Sequence, residues 1–199
     1  MKILKTILIV LVALVAIAAI VGMFMSADVH VERSMEMKSA PDAVYSQVND
    51  LKKWDNWMPW NKLDPNWQRT WGEKTEGEGA SYSWNSEKSE VGHGSITITK
   101  SVPNEAVETN LHFEGQGDAT GTYKIEKTDA GSKFTWGMDM NMGANPFKRL
   151  MGSMMDNMMA PWFDRGMVSL DSAAAANPVM PAPVDTTMMP PADTTAMAK

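Results

Sequence analysis

The chain has 199 residues, with 24 Asp and Glu against 18 Lys and Arg, three His and no Cys, for a net charge of −6. Setting aside Lys2 and Lys5, which precede a long apolar stretch, leaves 16 basic against 24 acidic residues, a net −8 that repels nucleic acid and anionic headgroups. Without cysteine there is no disulfide, no thiol nucleophile and no thiolate metal site.

Thr6 to Ala27 carries no charge and is mostly Ile, Leu, Val and Ala. As a helix these residues would span about 33 Å at about 1.5 Å per residue, enough for a hydrocarbon core of about 30 Å. Lys2 and Lys5 lie before the stretch and Asp28 and Glu32 after it, so the positive-inside rule predicts a cytoplasmic N-terminus and a body outside the cytoplasm. A cleaved signal peptide is the alternative, but its apolar region is normally only about 7–15 residues long. A cut after Ala27 would also put Met25 at the outer small-residue position. An uncleaved, single-pass anchor over residues 1–27 is the expectation.

Val29, Val31, Met35 and Met37 alternate with polar residues, the two-residue period of a half-buried strand. Ser39-Ala40-Pro41-Asp42 fits a capping box with proline in the first turn, followed by Val44, Tyr45, Val48 and Leu51 at helical spacing. Trp54, Trp57 and Met58 continue a helical stripe until Pro59 ends it. Five of the eight tryptophans fall between Leu51 and Trp71, a density that indicates either a large core plug or the wall of an apolar pocket. Six β-prone runs follow, near 67–73, 79–86, 91–100, 105–114, 118–127 and 132–142, separated by Gly-, Pro- and Asn-containing turns. Six successive antiparallel strands are predicted. Beyond Asn145-Pro146, Phe147, Leu150, Met151, Met154, Met155, Met158, Met159 and Trp162 fill about half of a helical wheel. Pro161 is expected to kink or restart this helix. Residues 173–199 are rich in Pro, Thr, Met and Ala, with two loosely similar halves, and read as a disordered tail. Residues 28–172 are left as one folded domain.

The order strand, two short helices, six strands and a long C-terminal helix is the α+β helix-grip arrangement, a curved antiparallel seven-stranded sheet around that helix. The chain resembles the polyketide cyclase/dehydrase and lipid-transport family of the START-like (SRPBCC) superfamily, in particular its membrane-anchored bacterial members. The residues that carry the resemblance are Val31-Glu32-Arg33-Ser34, Ala40-Pro41 with Val44-Tyr45, Asn49-Asp50-Leu51 with Trp54, Trp57, Pro59 and Trp60, and Gly79 to Trp84. Gly94 to Ile98, Phe134 to Met138, Asn145-Pro146-Phe147 and Met155-Asp156 complete the set. The resemblance implies a cavity for a lipid or other hydrophobic small molecule. It implies no shared catalytic constellation and no cofactor.

Candidate lining residues are Trp57, Trp60, Trp84, Trp136, Met138, Met140, Met151, Met154, Met155 and Met158, with Trp54 expected to be packing. Flexible thioethers suit a permissive pocket, although a helical Met stripe also makes ordinary core. The indole N–H groups are expected to be available to orient a polar ligand head. His30, His93 and His112 fall on separate predicted strands with no metal spacing, and Asp139 and Asp156 fall on the polar sides of their elements. The Gly-x-Gly motifs at 77, 92 and 115 precede no helix, as a phosphate cradle requires. Three functions follow: a hydrophobic-ligand binding module, an enzyme of cyclase or dehydratase type acting in the same cavity, or a protein-interaction module using the tail.

Overall fold

In the computed structural model, which describes residues 2–177, Val29, Val31, Met35 and Met37 all turn to one side of β1 (Asp28–Met37). The strand is preceded by α1 (Lys2–Phe24), which is long and apolar enough to cross a membrane. Only Gly22 of α1 is buried, unlike a helix in a soluble core. By length and composition α1 is either a membrane anchor or a signal sequence.

After β1 the chain forms α2 (Pro41–Val48), a 3-10 turn at Leu51–Lys53, α3 (Trp54–Trp57) and a second 3-10 turn at Pro59–Lys62. Six strands follow: β2 (Gln68–Trp71), β3 (Ser81–Asn85), β4 (His93–Val102), β5 (Ala106–Phe113), β6 (Gly117–Thr128) and β7 (Gly131–Asn141). Each lies within about two residues of its predicted bounds at most ends. The sheet order is β1-β7-β6-β5-β4-β3-β2, with every neighbour antiparallel. β1 and β2 therefore occupy opposite edges, and α2 and α3 carry the chain from one to the other. The β4–β5 register slips between Ile98 and Lys100, leaving Thr99 as the extra residue of a bulge that adds twist and curvature.

The concave face is filled by α2, α3 and the last helix, and this is where the core sits. Val44, Val48, Leu51, Trp57, Phe134, Phe163 and Leu170 are completely buried. The predicted capping box takes a different form. Ala40 is the N-cap of α2 and offers no side-chain acceptor. Ser39 instead donates its hydroxyl to Asp171 at 2.7 Å and its backbone N–H to the same carboxylate at 3.1 Å. That pairing ties the β1–α2 corner to the last helix.

The C-terminal helical region divides at a different place from the one Pro161 suggested. A short α4 (Pro146–Gly152), capped by Asn145, ends at Ser153, and α5 (Met155–Ala176) runs uninterrupted through Pro161. Gly152 is buried at the break because a Cβ there would lie 2.7 Å from a Val29 methyl. α5 continues past Ser172, and Ala174 is fully buried. The predicted tail from 178 onward lies outside the described residues.

Candidate functional site: an aromatic cavity under the last helix

The cavity begins with alternation. In an antiparallel sheet every second side chain faces the same side, so Phe134, Trp136, Met138 and Met140 of β7 stand beside Gly121 and Tyr123 of β6. Leu111 and Phe113 of β5, Ile96 of β4, and Tyr82 and Trp84 of β3 extend this face. Between these strands, α3 and the start of α5 lies a cavity of about 250 Å³, just under the usual small-molecule range of about 300–1,000 Å³. Glycines make the room. A Cβ on Gly121 would lie 2.5 Å from the Thr109 hydroxyl, and one on Gly94 would lie 2.5 Å from the Trp84 ring, which covers that glycine across the strand pair.

Of the ten predicted lining residues, Trp60, Trp84, Trp136, Met138, Met140 and Met155 border the cavity. Trp57 does not. It is fully buried behind the wall, edge-on to Trp136 at 5.5 Å and to Tyr123 at 6.3 Å. Trp54, expected to be packing, reaches the cavity instead. Both are buried side chains of the four-residue α3, Trp57 packed against Trp136 and Trp54 against Tyr123 at 5.5 Å.

Met151, Met154 and Met158 are not in the cavity at all: they are 59, 58 and 55% exposed. The apolar half of the wheel is wider than the face turned inward: each residue turns the helix by about 100°, so Met155 and Met159 face the cavity while Met154 and Met158 beside them face out. In α5 the inward stripe is Met155, Met159, Phe163, Met167 and Leu170, and Met159 is a lining residue that the sequence reading left out of the site. Gly152 was the available signal for the end of α4, since glycine inside a helical pattern costs about 1 kcal/mol and often marks an end.

The lid over the cavity is held by stacking and one ion pair. Phe163 lies flat on Trp136, with ring centroids 4.3 Å apart and planes 5° from parallel. Gly166 permits that approach, because a Cβ would lie 2.7 Å from the Trp136 ring and 3.2 Å from Pro59. At the start of α5, Asp156 is not merely solvated. It receives a two-pronged hydrogen bond from Arg33 of β1, both contacts at 2.9 Å, which holds its carboxyl below the usual range and raises the Arg33 guanidinium. Trp60 stacks on Trp162 of α5 at 6.2 Å.

Polar groups inside are few. Trp54, Trp57 and Trp84 spend their indole N–H groups on the carbonyls of Val48, Gln47 and Val91, so these three do not point a donor at a ligand. Tyr82 and Tyr123 also line the space, and burial pushes both phenols well above their ordinary value, so they stay protonated. The one carboxylate among the lining residues is Glu90, which is exposed in the β3–β4 connection.

Elsewhere, His30 pairs with Asp139 at 2.7 Å across β1 and β7, and His112 with Asp118 at 2.6 Å, both on the solvent side. His93 is exposed at the start of β4. Among the described residues, no group of three or more His, Asp or Glu is placed to hold a metal ion.

Residues 28–175 match the profile of the family described as polyketide cyclase/dehydrase and lipid transport. The chain belongs to this family. Comparison with curated proteins gives no match. Among solved structures, the family member is similar to a Staphylococcus aureus protein of unknown function, SA2116, at 12% identity and a TM-score of 0.56, covering 75% of this chain and 94% of that one. It is similar to Ara h 8.0201 at 14% identity and a TM-score of 0.53, covering 75% and 99%. A third neighbour is the di-domain ARO/CYC StfQ from the steffimycin biosynthetic pathway, at 10% identity and a TM-score of 0.58, covering 75% of this chain and 52% of StfQ. These likenesses share the helix-grip fold, and the family assignment carries the general function of a hydrophobic-ligand domain.

Proposed function

We propose that this chain is a membrane-anchored START-like domain that binds or carries a hydrophobic small molecule or lipid in its internal cavity. In this reading α1 is the uncleaved anchor, with Lys2 and Lys5 on the cytoplasmic side and the domain on the other. The observation that carries it is the lining itself: aromatic rings and thioethers from α3, α5 and five strands, with the Tyr82 and Tyr123 phenols and the Trp136 indole as the few buried polar groups. Such a surface favours an uncharged, largely apolar ligand, because a buried charge would find no counter-ion.

Binding accounts for the lining better than cyclase or dehydratase chemistry, which calls for an acid or base that changes protonation near neutral pH. Tyr82 and Tyr123 are too strongly protonated for that role, and Glu90 stands at the rim.

The test is a comparison of the purified full-length protein with Leu111→Trp, which fills the cavity from β5. The added indole takes the volume that a ligand would occupy, and about 1.4 kcal/mol of lost binding energy is tenfold in affinity. The variant should therefore retain at least about fivefold less co-purifying hydrophobe by mass spectrometry of the extract. Equal retention in both proteins would place any bound lipid outside the cavity and overturn the reading.

A further inference from the structure

Beyond α1, five large apolar side chains are exposed among the described residues: Phe147, Met151, Met154, Met158 and Val168. Four of the five lie between 147 and 158, at intervals of four, three and four, so they form one stripe along α4 and the first turn of α5. Scattered single exposures need no explanation, but a contiguous apolar patch does.

The position of this stripe is fixed by α1. Gly22 packs so closely on α4 that a Cβ there would lie 2.1 Å from the Pro146 carbonyl oxygen. The connection from α1 to β1 is only Met25 to Ala27, which at about 3.3–3.6 Å per residue allows a reach of about 10 Å. Ala27 is itself held, since its carbonyl accepts from the Met142 N–H at 2.7 Å. The methionine stripe therefore stays level with the outer end of α1 and continues its exposed apolar surface.

The cavity opens at the same end of the sheet. Its exposed lining residues, Glu90 and Gln116, belong to the β3–β4 and β5–β6 connections. Those connections lie at the same end of the sheet as the start of β1 and the finish of β7, as the strand registers require. Met155, one residue from Met154, lines the cavity while Met154 faces out.

We propose that Phe147, Met151, Met154 and Met158 insert into the outer leaflet of the bilayer that α1 crosses, and so seat the cavity mouth on the membrane surface. This rests on the reading of α1 as an anchor. A bilayer suits the patch better than a protein partner because the short tether keeps it at the membrane whatever else binds. The net acidic domain makes the contact hydrophobic rather than electrostatic, so zwitterionic lipid suffices.

The natural absence of cysteine allows site-specific spin labelling of the full chain in phosphatidylcholine nanodiscs. Labels at Met151→Cys and Met158→Cys should be several-fold more accessible to oxygen, which concentrates in lipid, than to a water-soluble nickel chelate. A label at Glu105→Cys, at the opposite end of the sheet, should show the reverse, and one at Ala13→Cys reports on the anchor. Oxygen-rich signals at 13 but chelate-accessible ones at 151 and 158 would overturn the docking and leave the anchor standing. Chelate access at 13 would overturn both. Shielding of 151 and 158 from both reagents would assign the patch to a protein interface and also overturn the proposal.

Discussion

Asp64 is a carboxylate drawn into the structure at the loop that leads to β2, 5% exposed by surface area. It accepts hydrogen bonds from the Ser86 hydroxyl and from the Asn66 backbone N–H, in that order of effect, and its pKa is lowered from 3.8. A folded-state pKa below the unfolded one means that the contribution is fully present above about pH 4 and is lost as pH falls through the folded value. Asp156 behaves the same way through Arg33. Acid should therefore weaken the fold progressively below about pH 4. Asp64→Asn cannot ionise, so its stability should fall less steeply over that range than the native chain's. Unfolding midpoints in urea, followed by tryptophan fluorescence at several acid pH values, would test this. Parallel curves for the two proteins would show that Asp64 titrates alike folded and unfolded.

Between elements, α5 lies tight against the sheet at Gly166, where Trp136 and Pro59 leave no space for a side chain. Gly166→Val should lower stability by about 1–3 kcal/mol, the usual cost of overpacking a filled core. An unfolding free energy equal to the native one would show slack between α5 and the sheet. The neighbouring stack of Phe163 on Trp136 explains why this joint is tight. The elements themselves were legible because the strands alternate and their turns carry Gly, Pro and Asn at the right places. The lining was most legible where it followed from that alternation, as for Trp84, Trp136, Met138 and Met140, with Trp60 added from the tryptophan cluster and Met155 from the helical stripe. It failed for Met151, Met154 and Met158, because the apolar half of the wheel is wider than the face that the helix turns to the sheet. It failed again for Trp54 and Trp57, which share the inner side of one helical turn and are sorted only by contacts with Tyr123 and Trp136. Packing across chain-distant elements decides such cases, and no local periodicity encodes it.

At the scale of the whole molecule, the proposed reading of α1 as an uncleaved anchor makes a prediction about the junction between α1 and the domain. A signal peptidase needs an accessible segment just after the apolar helix. Here that segment is built into the fold: the Met142 N–H bonds the Ala27 carbonyl at 2.7 Å, and Ser26 accepts from the Asp28 N–H at 3.1 Å. Arg149 of α4 points a guanidinium N–H at the Met23 and Met25 carbonyls, each 3.5 Å away, close to the end of α1 where the helix leaves carbonyls unpaired. Cleavage at Ala27 would cut a residue already bonded into the β1–β7 edge and strip α4 of the surface that Gly22 provides. The protein isolated from membranes should therefore retain the α1 residues through Ala27 by intact mass and should stay with the membrane in alkaline carbonate. Protease added to the outer face should digest the domain while sparing α1. A mature mass beginning near Asp28, with release into the soluble fraction, would make α1 a signal sequence and leave the cavity domain free to diffuse from the bilayer that the anchor would otherwise hold beneath it.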